Sequence, residues 1–204
     1  MKDKREFRGS AWRWALVFVV STVLIVASFL SDRTVRGWMV GHQDPGTRTF
    51  MEALSRFGDW PEHVGLGLIL LAAAWWRGSK PWMRIFAAMI VACALAGVST
   101  RVVKIAAGRP RPNVQTDAGW SGPNLSARYQ AFPSGHTAAS TAFFAALAFA
   151  SRRAGAGLLV VPVLIAFSRM YVGAHHLSDV VAAAVIGVVC GWIVMNRLRS
   201  LPSP

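Results

Sequence analysis

The polar residues that interrupt the apolar runs of this 204-residue sequence gather in three places: residues 104–112 (KIAAGRPRP), 133–136 (PSGH) and 168–179 (SRMYVGAHHLSD). Polar groups set among long apolar stretches are costly to keep, which marks them as candidates for function. Lys104, Arg111 and Arg169 offer three cations, and the planar fork of arginine matches two oxygens of a phosphate. Residues 133–136 read as a turn entering a helix, where free backbone N–H groups and the helix dipole attract an anion. Ser134 and Gly135 stand at that turn, and Gly135 leaves room for a ligand to come close. His175 and Asp179 are four residues apart and so share one helical face. A carboxylate beside a histidine fixes its tautomer and stabilises the imidazolium, as a histidine nucleophile or base requires.

Each of these residues has a plainer reading beside the chemical one. Taken alone, Lys104 and Arg111 suit headgroup anchors at the end of an apolar span. His176 lies three residues before Asp179, also helical spacing, and so competes with His175. Arg169 sits inside an apolar stretch, where a solvated-face explanation is poor. His42 and His63 fall outside all three segments and read as structural or solvated. No cluster of Asp, Glu and His offers the three or four ligands of a catalytic metal, so no metal or cofactor is expected.

The elements that must position these groups are hydrophobic. The chain is 54% hydrophobic and 15% charged, carries nine tryptophans, and has a mean hydropathy of +0.42. That composition places it in a membrane. A formal charge of +13 would suit nucleic-acid binding, but the basic residues are scattered between apolar runs and form no patch, so no nucleic-acid partner is expected. Cys93 and Cys190 both lie in apolar runs and read as small packing residues. The predicted fold is all-α, with six transmembrane helices near 14–30, 63–76, 85–100, 133–151, 157–174 and 177–195. The second is the shortest, and is included because omitting it strands its neighbours on inconsistent sides. The first follows Lys2, Lys4, Arg5, Arg8 and Arg13 and is taken as an uncut helix, not a signal peptide, because its apolar run is long.

Parity puts the loops after the third and fifth spans on one side, so the three polar segments converge whichever way the chain is inserted. Twelve of the 22 Lys and Arg residues fall on segments that share the side of the N-terminus, which makes both termini cytoplasmic and the polar segments extracytoplasmic. In the loop after the first span, Thr49 and Glu52 have capping-box spacing. Phe50, Leu54 and Phe57 then recur with helical period opposite Arg48, Glu52, Arg56 and Asp59. This predicts a short amphipathic helix, either lying in the membrane interface or packed on the bundle.

The three segments in order, K-x6-R-P, P-S-G-H and S-R-x5-H-x3-D, resemble the signature of the type-2 phosphatidic acid phosphatase superfamily. Lys104 with Arg111-Pro112, residues 133–136, and Ser168-Arg169 with His175 and Asp179 fill every specified position. Motif register then selects Arg111 over Arg109, which is left as a flanking anchor. It likewise selects His175 over His176, which is left a packing or rim role. The resemblance implies that His175 attacks phosphorus to form a phosphohistidine, Asp179 orients it, and His136 protonates the leaving oxygen and then activates water. It implies phosphate binding by Lys104, Arg111, Ser134, Gly135 and Arg169, without a metal or cofactor. The implied function is hydrolysis of a lipid phosphomonoester or pyrophosphate (phosphatidic acid, phosphatidylglycerophosphate, undecaprenyl pyrophosphate or a related lipid) by one domain spanning residues 1–204. Its partners would be that substrate and membrane lipids, and its place a bacterial inner membrane. Rival readings are a lipid phosphotransferase with the same nucleophile, a vanadium haloperoxidase, whose relatives are mostly large and soluble, and a lipid-phosphate binder without activity. The intact histidine pair argues against the last, because binding alone needs only the cations.

Overall fold

The computed structural model describes residues 4–114, 116 and 119–200. Its helices are α1 (Lys4–Gly41), α2 (Pro45–Arg56), α3 (Trp60–Trp76), α4 (Lys80–Ala107), α5 (Gly135–Ala150), α6 (Arg152–Gly155), α7 (Val160–Tyr171) and α8 (Leu177–Ser200). Short 3-10 turns lie at Ala127–Tyr129 and Gly157–Leu159. No strand occurs among the described residues.

Helix α5 is the axis of the bundle, packed chiefly against α8 and α4 and also touching α3 and α7. Its sequence explains this position. Ala138, Ala139, Ala142, Ala145 and Ala146 keep its surface narrow, while Phe143 fills the space towards α3 and α4. On the facing helix, a Cβ added at Gly187 would stand 2.7 Å from the Ala138 carbonyl oxygen, and one at Gly191 would stand 3.1 Å from that of Ala142. The two backbones therefore touch, which is how small residues create dispersion contact where lipid removes the hydrophobic driving force. Cys93 and Cys190 are buried free thiols in this core, as their apolar setting leads one to expect.

Among the described residues, four stretches are long and apolar enough to cross a bilayer: Trp14–Gly41, Lys80–Ala107, Arg152–Tyr171 and Leu177–Ser200. The first of these is almost wholly unburied, and so much apolar surface belongs in lipid. The chain is an integral membrane protein. Helices α3 and α5, with 17 and 16 residues, fall short of the ~20 residues that a ~30 Å hydrocarbon core asks for.

Two boundaries differ from the sequence-based expectation. Helix α1 does not stop near residue 30 but runs on to Gly41, carrying Asp32 into the protein interior. Helix α2 exists, but Thr49 and Glu52 do not form its capping box. Asp44 caps it instead, accepting from the Thr47 N–H at 2.9 Å, and Pro45 supplies a preset φ in the first turn. The helix thus begins a turn earlier, where Thr49 bonds back to the Pro45 carbonyl and Glu52 pairs with Arg48. Helix α2 packs against α7 and buries Ser55, while Phe50 and Phe57 remain 63% and 68% exposed.

Candidate active site

The three polar segments meet at one end of the bundle. Helix α4 ends at Gly108, whose φ of 59° is left-handed and whose missing Cβ would overlap the Gly122 carbonyl oxygen. That turn directs residues 109–112 across the end of α5. The returning chain is fastened by the Asn124 N–H to the Ile105 carbonyl at 2.8 Å and the Ala131 N–H to the Arg109 carbonyl at 3.0 Å. Ser134 then caps α5, its hydroxyl accepting from the Thr137 N–H, and its own N–H donates to the Asp179 carbonyl at 3.0 Å. The N-terminus of α5 and the first turn of α8 are therefore tied directly together.

Cations surround this junction. The Lys104 ammonium lies 3.5 Å from where a Gly135 Cβ would stand, over the N-terminus of α5. Arg111 donates its Nε to the Ala127 carbonyl at 2.9 Å, which fixes the plane of its guanidinium. Arg169, in the last turn of α7, donates one Nη to Ser55 of α2, and its buried Nε has no hydrogen-bond partner. A buried, unpaired donor beside other cations is what an absent oxyanion would satisfy.

His175 is buried in the join between α7 and α8, with Nδ1 at 3.5 Å from Asp179 Oδ2. That is ion-pair distance, yet Nδ1 makes no hydrogen bond, so the contact must tighten as charge develops on the ring. Burial first, and then the positive charges of Lys104, Arg169 and Arg111, hold the His175 imidazole well below its ordinary pKa of 6.5. It is consequently neutral near pH 7, with a lone pair to use. His136 occupies the first turn of α5, partly exposed, and its Nδ1 stands 3.9 Å from Asp59, the residue that caps α3. A cavity of about 670 Å³ runs from His136 and Lys104 along α4, walled by Trp60, Ala94, Val98 and Val102. Among the described residues, no three His, Cys, Asp or Glu side chains converge as a metal site.

The residues of the three polar segments lie in this region, but Arg109 is no headgroup anchor. It is 8% exposed, donates to Asp179 Oδ1 at 2.5 Å, to Ser178 Oγ at 2.6 Å and to Asp32 Oδ2 at 2.7 Å, and lies over the rings of Phe29 and Trp120. The signal that would have found it is Asp32: a carboxylate at the end of an apolar run needs a cation. His176 contributes its backbone N–H to Asp179 Oδ2 at 2.7 Å, while its side chain lines a smaller cavity facing α1. His63 is structural, edge-on to Phe143 and Phe144, and His42 is exposed and stacked on Trp38.

Residues 85–201, from the first half of α4 through α8, match the family model of the PAP2 superfamily. The chain belongs to that superfamily. It is 28% identical to a lipid A 1-phosphatase of Rhizobium etli, over 88% of this chain and 82% of the relative. It is 32% identical to a decaprenylphosphoryl-5-phosphoribose phosphatase of Mycobacterium tuberculosis, over 86% and 88% respectively. The fold matches the crystal structure of a transmembrane PAP2 type phosphatidylglycerolphosphate phosphatase from Bacillus subtilis with a TM-score of 0.71. At 19% identity, that match covers 92% of this chain and 96% of the other. As a PAP2 protein with named phosphatases as relatives, it is a phosphoric ester hydrolase of the membrane.

Proposed function

We propose that this protein is a metal-independent lipid phosphate phosphatase working through a phosphohistidine. The observation that carries the reading is the buried, neutral His175 held against Asp179 amid the charges of Lys104, Arg111 and Arg169. In the first half-reaction, His175 Nε2 attacks phosphorus while Lys104, Arg111, Arg169 and the α5 N-terminus at Ser134 and Gly135 hold the phosphoryl oxygens. The bond from phosphorus to the leaving oxygen breaks, and His136, entering the step as the imidazolium beside Asp59, gives that oxygen a proton and becomes neutral. In the second, His136 takes a proton from water, the water oxygen attacks phosphorus, and inorganic phosphate leaves His175. Asp179 stabilises the charge on the ring throughout.

The substrate is a phosphate on a large apolar anchor. His136 opens onto the 670 Å³ cavity whose walls are mostly apolar, so the leaving group lies on the side where a lipid chain fits. The phosphomonoester and pyrophosphate lipids named above all satisfy this geometry, and the polyprenyl and lipid A substrates in the relatives' names share the same chemistry. All 204 residues act as one unit, since α1, α2 and the α3 cap contribute Asp32, Ser55 and Asp59 to the site. The site faces outward from a bacterial inner membrane, on the distribution of Lys and Arg.

The test is phosphate release from a panel of purified lipid phosphates, in detergent with excess chelator. Turnover should persist with chelator and be inhibited competitively by vanadate, which adopts the five-coordinate geometry of the transition state. Activity lost on chelation and restored by a divalent ion would overturn the mechanism. Phosphate appearing on an added alcohol in preference to water would make the protein a transferase.

A further inference from the structure

The catalytic end of the bundle contains a triad of buried charges, of which the proposed chemistry uses only Asp179 directly. Asp32 and Arg109 are 7% and 8% exposed, and Asp179 is fully buried. Arg109 bridges the two carboxylates, with one Nη on Asp32 Oδ2 at 2.7 Å and the other on Asp179 Oδ1 at 2.5 Å. Asp32 in turn accepts from the Ser178 N–H at 2.8 Å and the Ser178 hydroxyl at 2.6 Å, in the turn of α8 that carries Asp179. Stability alone is a poor account of such a triad, because replacing buried ion pairs with apolar packing is often neutral or stabilising.

The geometry on Asp179 points elsewhere. Arg109 occupies Oδ1, and the His176 N–H fixes Oδ2, so the carboxylate cannot rotate and Oδ2 is the oxygen that faces His175. Arg109 is shared between two carboxylates, so its charge is not directed at Asp179 alone. Asp32 lies on α1, outside the stretch of chain that matches the family model. Apart from this contact, α1 is largely an apolar surface lying beside α8.

We propose that Asp32 and Arg109 form a positioning relay from α1 that sets the orientation and effective charge of Asp179, and through it the reactivity of His175. Neither residue touches the phosphate. The relay rests on the reading of His175 as nucleophile and Asp179 as its partner. Its removal should therefore lower kcat and leave KM unchanged, since Lys104, Arg111 and Arg169 still bind the substrate.

The experiment is a double-mutant cycle in the full-length protein in detergent, with Asp32→Asn made in the wild type and in Asp179→Asn, and kcat and KM measured on a lipid phosphate. Partners that hold a functional histidine from outside its contact shell typically carry about 10–100-fold, so Asp32→Asn should cost about tenfold or more in kcat. The relay predicts that this loss shrinks to less than twofold in the Asp179→Asn background, because the two substitutions interrupt one path. Arg109→Lys, which keeps the charge but cannot bridge two carboxylates, should reproduce the kcat loss and serves if Asp32→Asn does not fold. Wild-type kcat in both single variants, an equal loss in both backgrounds, or a rise in KM at constant kcat would overturn the relay. Full turnover by Asp179→Asn alone would instead overturn the His175–Asp179 assignment itself.

Discussion

A histidine attacks phosphorus only while the attacking ring nitrogen is unprotonated, and His175 is placed so that protonation is unfavourable. Burial and three neighbouring cations lower its pKa below 6.5. The neutral, reactive form is therefore retained as pH falls through 6.5 and is lost only at more acidic pH. The acid limb of kcat/KM in the free enzyme should accordingly lie below pH 6.5; a limb above that value would contradict the environment described. The neighbouring His176 separates sequence register from proximity. His175→Ala should abolish turnover with the thermal unfolding transition intact, whereas His176→Ala should retain substantial activity, because the backbone N–H that holds Asp179 survives the substitution. If only the His176 variant were dead, the two residues would have to exchange roles. At this scale the sequence was most legible. Residue types and spacing marked out the three polar segments, and the family resemblance chose His136, His175 and Arg111 within them, but the partners Asp32 and Ser55 lie 146 and 114 residues from the groups they hold, beyond the reach of any local pattern.

The helices turn those residues into a site through close packing. Helix α5 opens at the Ser134–Gly135 turn and α8 carries Asp179 in its first turn, and the two are joined at the top by the Ser134 N–H to the Asp179 carbonyl. Gly187 sits lower on the same contact, with the Ala138 carbonyl oxygen and Thr141 Cβ each 2.7 Å from a built Cβ. Gly187→Ala must push the helices apart and should cost about 1–3 kcal/mol, seen as a lower unfolding temperature in detergent. Activity should fall with it, because the separation propagates to the tie between Ser134 and Asp179. An unshifted transition would mean that the helices are not in backbone contact. Apolar runs located these helices well, since a membrane segment must satisfy its own backbone and so announces itself by composition. Their ends were less legible. Polar residues after position 30 mimic a loop, yet α1 continues because Asp32 is neutralised inside the protein by Arg109. The start of α2 was set by Asp44 and Pro45 and not by the capping box, because two overlapping start signals compete and the earlier, with proline at its first position, prevailed.

For the molecule as a whole, the open quantity is sidedness, and a topology of six crossings makes it testable. Helices α3 and α5 are shorter than the usual span, but α5 is sheathed by α3, α4, α7 and α8, so its ends need not reach both headgroup layers unaided. Because α4 spans between them, the α4–α5 connection lies opposite the α3–α4 turn, and the catalytic end lies opposite the basic group formed by Arg77, Lys80 and Arg84. Leu125, in the α4–α5 connection, is 75% exposed, and Ser79 lies in the α3–α4 turn. Single cysteines placed at these positions report on the arrangement directly, once the buried Cys93 and Cys190 have been replaced. In intact cells, Leu125→Cys should react with a membrane-impermeant thiol reagent, while Ser79→Cys should react only after the membrane is opened. Labelling of both from outside would show that α4, the one helix between them, does not cross, and would remove the six-helix topology. Labelling of Ser79→Cys alone would mean that the protein is inverted or that α3 does not cross, and either way would confine its substrates to the cytoplasmic leaflet. The basic residues favour the first outcome, because Lys and Arg are retained on the cytoplasmic side during insertion, and the segments assigned there hold twelve of the 22. Several of the remaining ten are held for another reason: Arg109 pairs with buried carboxylates, and Lys104, Arg111 and Arg169 surround His175, where the proposed phosphate would demand them.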